Sequence, residues 1–179
     1  MLRQRRTEYD TGNCEFLYVK GSKNGIRYGV SNLFRVITLN ANGIRAAARK
    51  GFFNWMKKQN ADVVCIQETK AQEHQLADDC FHPIGYHCYY EDALKKGYSG
   101  TAIYSRHEPK KVIRGWGVQE FDDEGRYLEV QLGFVNVVSL YLPSGSSGEE
   151  RQAAKYRFLD DFTPYLQKLR RRRSEYILC

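Results

Sequence analysis

The sequence predicts an α/β fold, and three observations predict it. Two short apolar runs, Arg35–Leu39 and Asp62–Ile66, each close on a polar segment: Asn40-Ala41-Asn42-Gly43-Ile44-Arg45 after the first and Gln67-Glu68-Thr69-Lys70 after the second. Between them, Ala46–Gln59 mixes Ala47, Phe52, Phe53, Trp55 and Met56 with lysines and reads as helical in its second half, which makes a βαβ unit. A third run, Val135–Leu142, is almost continuously apolar, as a strand buried on both faces requires. In an open α/β sheet, ligands bind outside the carboxyl ends of the strands. The two polar segments would therefore bring amides, a carboxylate and cations into one crevice.

The remaining elements follow in order. Residues 1–33 carry Gly12, Gly21, Gly25 and Gly29 among polar residues and show no strand or helix periodicity. They read as a weakly ordered extension ahead of a domain at 34–179. Gly51 separates a loop from the helix that ends at Gln59. A polar helix is predicted around Gln72–Ala77. Tyr86–Tyr90 and Gly100–Tyr104 read as strands joined by the basic loop Leu94–Tyr98, and Val112–Ile113 continues the series. In Leu128–Leu132, alternation of Leu128, Val130 and Leu132 with polar residues predicts one buried face. Ser147-Gly148-Glu149-Glu150 has capping-box spacing and opens a long helix. Phe158, Phe162, Tyr165, Leu166 and Leu169 fall on one face of it, Pro164 kinks or splits it, and Arg170–Arg173 close it with cations suited to a helix C-terminus. Tyr176–Cys179 begins another apolar strand.

At 179 residues the chain is one domain or a large part of one, and 42% hydrophobic residues with 13% aromatics exclude a disordered chain. A net charge of +7 and a pI of about 9.1 favour a polyanionic partner, nucleic acid before an anionic membrane. The five cysteines form no C-x-x-C pair and are odd in number, which points to a reducing, cytoplasmic compartment. No stretch is apolar enough to span a membrane and no signal-peptide pattern occurs.

Glu68 stands where an apolar strand ends. Such an acid is either the first exposed residue or a ligand for a hard cation, which takes one or two carboxylates plus phosphate and water. Asn40 and Asn42 are either turn residues before Gly43 or amides for phosphate and metal. Tyr141 closes the third apolar run. Lys95-Lys96-Gly97-Tyr98-Ser99-Gly100 is either a hairpin turn or a loop that contacts a nucleic-acid backbone through Lys96 and Tyr98. Asp123-Glu124-Gly125-Arg126 reads as a turn with no catalytic role. His74, His82, His87 and His107 show no metal spacing.

Five segments in this order, L-N-A-N-G-I-R-A, I-Q-E-T-K, K-G-Y-S-G, D-E-G-R and Y-L-P-S-G, resemble the exonuclease III / AP endonuclease family of DNA-repair nucleases, within the endonuclease/exonuclease/phosphatase superfamily. Leu39 departs from the family's aromatic, and Ser139 from its asparagine. The resemblance implies a four-layer α/β sandwich of the DNase I-like type, with about the first half present here and each half contributing mainly one sheet. It implies Mg2+-dependent (alternatively Mn2+-dependent) phosphodiester hydrolysis on double-stranded DNA at abasic sites and 3′ ends, by a protein that is monomeric when complete and has no membrane partner. By the same resemblance Tyr141, Glu68 and Asn40 are catalytic, Glu68, Asn40 and Asn42 hold the metal, and Arg45, Lys70, Lys96 and Tyr98 contact DNA. The family's G-D-x-N and S-D-H segments, which supply the water-activating aspartate and an Asp–His pair, occur nowhere in the 179 residues. The expectation is a chain inactive by itself. Two other readings remain: a non-catalytic DNA-binding remnant, and a phosphatase of the same superfamily.

Overall fold

The computed structural model describes residues 3–9, 12–20, 33–145, 148–172 and 174–179, with those before 34 described by their backbone alone. In chain order the elements are β1 (Arg3–Tyr9), β2 (Gly12–Lys20), β3 (Leu33–Asn40), α1 (Ile44–Arg49), α2 (Phe52–Gln59), β4 (Val63–Gln67), β5 (His87–Glu91), β6 (Thr101–Ser105), β7 (Lys111–Arg114), α3 (Gln119–Asp122), β8 (Tyr127–Gln131), β9 (Asn136–Leu140), α4 (Glu149–Arg170) and β10 (Tyr176–Leu178). They form a six-stranded sheet, β1-β2-β3-β4-β6-β5, and a four-stranded sheet, β10-β9-β8-β7.

Side-chain alternation explains the layering. On the outer face of the larger sheet, Ile37, Leu39, Val64, Ile66 and Tyr104 pack beneath Ile44, Phe52, Phe53 and Met56 of α1 and α2. On its inner face, Val36, Val63, Cys65 and Ile103 meet Leu128, Val130, Val135 and Val137 of the smaller sheet. On the outer face of the smaller sheet, Tyr127, Val138 and Leu140 lie under Phe158 and Phe162 of α4. Helices, sheet, sheet and helix make four layers. Both sheets are therefore built within this chain and close on each other, which corrects the expectation that it carries mainly one sheet.

Several local expectations are corrected. The first 33 residues contain two strands, β1 paired antiparallel to β2 and β2 to β3, so the sheet extends beyond the segment that periodicity identified. The stretch from Ala46 to Gly51, predicted as loop, lies largely in α1. A single 3-10 turn, Glu73–Gln75, replaces the predicted polar helix. β8 is buried on both faces, because Tyr127 and Glu129 lie on the face that α4 covers. α4 is one helix with Pro164 inside it. Its buried residues Phe158, Phe162 and Leu169, with Tyr165 packed beside them, leave Leu166 at 36% exposure, off the buried stripe. Gly148 stands at the N-cap, and the Ser147 of the expected capping box lies outside the described residues, as does Arg173. No helix among the described residues is long and apolar enough to cross a membrane.

Two edge features hold the sheets together near one end. Glu91 of β5 accepts an ion pair from Arg114 of β7, 2.9 Å away. Burial pushes the Glu91 carboxyl up to about 7; Arg114 opposes this, and Asp92, Asp122 and Glu73 add to it. At Gly125 (φ +59), a Cβ would stand 2.5 Å from the Glu91 carbonyl oxygen and 2.8 Å from the Asp92 carbonyl carbon.

Because the folded state holds the Glu91 proton more tightly than the unfolded chain, stability falls as pH rises from about 4.5 to about 7. Thermal melts of Glu91→Gln should show that fall flattened; an unchanged pH slope would refute the assignment. Gly85 shares a positive φ of +87 but has nothing within 4 Å of its missing Cβ. In urea titrations Gly125→Ala should therefore cost about 1–3 kcal/mol more than Gly85→Ala, the range for overpacking.

Candidate active site

β3 and β4 run parallel and in register, Asn40 opposite Gln67, so their carboxyl ends emerge side by side. The two following loops are joined by backbone hydrogen bonds: Ala41 N–H to Gln67 O at 2.9 Å, Gly43 to Glu68 O at 2.8 Å and Ile44 to Thr69 O at 2.9 Å. The second loop is pinned on its other side, where the Thr69 and Lys70 amides donate to the Gly100 and Ser99 carbonyls at 3.1 and 2.9 Å. Gly100 (φ +85) permits this approach, since a Cβ there would lie 2.2 Å from Thr69 Oγ1. Asn42, Glu68, Lys70 and Ser99 all adopt left-handed backbone, with φ of 45°, 55°, 48° and 46°. Asparagine tolerates that region; for glutamate and lysine it costs about 1–2 kcal/mol each, strain of the kind that gathers at functional sites.

The strained loops aim their side chains at one point. Asn40 Nδ2 donates to Glu68 Oε1 at 2.6 Å, and Lys70 Nζ meets Glu68 Oε2 at 2.9 Å and Asn42 Oδ1 at 2.5 Å. Asn40 Oδ1 accepts the Asn42 amide at 3.1 Å. Tyr141, arriving from the end of β9 in the other sheet, faces the same carboxylate and helps to lower its pKa. Burial pushes the Glu68 carboxyl up, but the hydrogen bonds from Asn40, Lys70 and Tyr141, with the Lys70 charge, outweigh it and hold the carboxyl below its ordinary value. Burial, then the bond to Glu68 and its charge, pushes the Tyr141 phenol up to about 12, with Arg126 opposing. At neutral pH the pair is thus a carboxylate and an intact phenol facing it.

The sequence reads Asp123–Arg126 as a turn, and the structure has that turn at 123–125, but it also buries the Arg126 side chain in the wall of the crevice. Its side chain is 2% exposed and lies 4.8 Å over the Tyr141 ring. Nη1 donates to the Tyr141 carbonyl at 3.0 Å, Nη2 to the Tyr98 hydroxyl at 3.0 Å, and Nε to Glu124 at 2.5 Å. Arg126 thus joins the D-E-G-R, K-G-Y-S-G and Y-L-P-S-G segments into one wall. The available signal was an arginine in a Gly-bearing turn; nothing local announced its burial.

Asn40, Asn42, Glu68, Lys70 and Tyr141 therefore meet at one place, with Tyr98 joined through Arg126. Arg45 and Lys96 are exposed, and among the described residues no hydrogen bond or ion pair ties them to the cluster. Lys95, not Lys96, lies over the Tyr98 ring, at 5.3 Å. No group of three or more His, Cys, Asp or Glu that could hold a metal occurs among the described residues. The donors present, one carboxylate and two amide oxygens, do fit in kind a hard cation that keeps water and phosphate in its shell.

A sequence-family profile described as Endonuclease/Exonuclease/phosphatase family matches residues 37–179. The chain is 39% identical over 146 residues to an exodeoxyribonuclease of Bacillus subtilis, covering 81% of this chain and 56% of that protein. It is 32% identical over 140 residues to a DNA-(apurinic or apyrimidinic site) endonuclease of Dictyostelium discoideum, covering 77% and 38%. Among solved structures, an AP endonuclease from Archaeoglobus fulgidus superposes with a TM-score of 0.72 at 32% identity, covering 82% of this chain and 56% of that one. The chain spans about half the length of the relatives it matches or less.

The Glu68 cluster yields a directional prediction. A carboxyl held below its ordinary value contributes stability that is present at neutral pH and lost as pH falls through its folded pKa. Tyr141→Phe removes one donor, so the Glu68 titration, followed by carboxyl carbon NMR, should move upward. An unmoved titration would show that the phenol does not hold the carboxylate.

Proposed function

The chain belongs to the endonuclease/exonuclease/phosphatase family, and from that membership we propose that it carries the metal- and phosphate-holding part of a DNA-repair nuclease site of exonuclease III type, for hydrolysis at abasic sites and 3′ ends. One observation carries the reading: the convergence of Asn40, Lys70 and Tyr141 on the Glu68 carboxylate at the ends of two sheets.

Glu68 would hold a divalent cation, Mg2+ or Mn2+, with Asn40 and Asn42 supplying amide oxygens. When bound, such an ion stabilises charge developing on a phosphoryl oxygen. The chain's own groups do the rest. Asn40 Nδ2 and the Lys70 ammonium are donors for phosphate oxygens. Tyr141, protonated up to about pH 12, supplies a hydrogen bond rather than a base. Arg126 holds both tyrosine rings in place. Arg45, Lys96 and Tyr98 would contact the backbone of double-stranded DNA, and no membrane enters the reading. No group in the cluster is suited to take a proton from water at neutral pH, because the carboxylate is held below its ordinary range. The chain alone is therefore expected to bind rather than to turn over.

The test is binding of an abasic-site duplex with Mg2+ present. Glu68→Gln and Asn40→Ala should weaken Mg2+-dependent binding about 10-fold or more, the worth of one charge-assisted hydrogen bond, while cleavage by the 179-residue chain stays at background. Equal binding by wild type and both variants would overturn the site assignment. Robust cleavage would overturn the claim that the chain is inactive alone, and phosphate release from phosphoinositides without DNA binding would favour the phosphatase branch.

A further inference from the structure

The chain's positive charge is not confined to the candidate site. In the half of the molecule that holds the site, Lys70, Arg114, Arg126 and Arg157 are paired with Glu68, Glu91, Glu124 and Glu120, while Arg45, Lys95 and Lys96 are exposed with no ion pair among the described residues. At the opposite end the smaller sheet presents one row across four strands: Lys111 beside Gln131, Gln131 beside Asn136, and Asn136 beside Tyr176. Lys110 and Lys111 stand at one end of that row, with the Lys110 amide on Gln131 O at 2.8 Å. At the other end Arg172 Nη1 reaches the Tyr176 hydroxyl at 3.4 Å, and Lys168, Arg170 and Arg171 precede it on the last turn of α4 and just past it. All six cations are exposed. Among the described residues none of them forms an ion pair, although Glu108 and Glu175 lie at the same end.

A helix dipole favours cations in its last turn. That accounts for Lys168 and Arg170, but not for Lys110 and Lys111, which belong to another element, nor for Arg171 and Arg172 beyond the helix. Lys111 shares its sheet face with Ile113, two residues on, and Ile113 packs against the cluster under α4, as Tyr176 does. The two cationic groups therefore flank one surface. Three strand spacings separate them, about 14 Å. Like charges gathered without partners repel one another, and a polyanion relieves that repulsion while releasing its own counterions. The five residues of β9, about 17 Å of strand, separate this row from Tyr141.

We propose that this pole, formed by the start of β7 and the end of α4, is a second and sequence-independent surface for the phosphate backbone of duplex nucleic acid, so that one chain can hold two duplex segments, one at each end. This rests on the proposed nuclease function only for the kind of polyanion. The placement of the unpaired cations is independent of it.

The experiment uses the 179-residue chain at concentrations where sedimentation gives a monomer, with two short duplexes of about 12 base pairs carrying donor and acceptor dyes. Wild type should bring the dyes together. The triple variant Lys111→Glu, Arg170→Glu, Arg171→Glu changes only exposed side chains; its fold is checked by its melting curve. It should abolish energy transfer, keep one duplex, and reduce the slope of log affinity against log salt by about 2–3 units, near 0.9 for each phosphate no longer neutralised. Glu68→Gln should leave that slope change intact. A wild type that holds one duplex without transfer overturns this proposal and leaves the proposed nuclease site standing, whereas no duplex binding at low salt overturns both. Transfer that survives in the triple variant, or binding to phosphatidylserine vesicles but not to duplex that the variant removes, also overturns it.

Discussion

The geometry of the site depends on a buried polar link between the facing sides of the two sheets. Gln67, the last residue of β4, donates through Nε2 to Ser139 Oγ of β9 at 3.0 Å, and Ser139 Oγ donates to the Ile66 carbonyl at 3.1 Å. Thr38 of β3 donates to Gln67 Oε1 at 3.2 Å. Ser139 is fully buried, and a polar group so placed costs energy unless it is paired. The link fixes the sliding register of one sheet over the other, which aliphatic contacts alone leave soft. Glu68 is one residue beyond Gln67 and Tyr141 two beyond Ser139, so fixing the register places phenol against carboxylate. The serine that departs from the family's asparagine thus has a place of its own here.

A second constraint is the burial of Arg126. A guanidinium taken out of water needs its donors satisfied, and here the partners are Glu124, Tyr98 and the Tyr141 carbonyl, with an aromatic face beneath the charge. Two loops that carry candidate phosphate contacts are held by one side chain from a third segment. Rigid support of this kind matters because productive positions in such sites are narrow.

Much of this was legible in the chain. Glu68, Asn40 and Tyr141 each follow an apolar run, and a strand end is a place that local pattern can locate. α/β class, the parallel pairing of β3 with β4 and the two-sided burial of β9 followed from the same signal. The contents of tertiary burial were not legible. Leu128–Leu132 alternates as a one-faced strand, yet Tyr127 and Glu129 are covered because α4 returns over them from residues far along the chain. Glu129 lies buried with Tyr127 and Gln131 donating to it at 2.5 and 2.8 Å, a neighbourhood that no periodicity encodes. Ile44–Arg49 is too short to show a helical period, and its start after Gly43 depends on the backbone bonds to the Glu68 loop. Arg126 was legible as a motif letter, but its role arises only when three separated segments meet.

The position of Lys70 changes what ligand binding at this crevice means. Its ammonium already sits against Glu68 and Asn42, so the chain brings its own counter-ion and the crevice is balanced in charge before anything arrives. Folding of these loops then needs no metal, unlike small domains that stay unfolded until an ion is bound. On the proposed reading, an incoming divalent cation would take or share oxygens that Lys70 holds, and the lysine so released would stand within reach of an accompanying anion. The free energy of loading would then be a difference between two sets of contacts, and occupancy by metal and by phosphate would be coupled through the Lys70 charge.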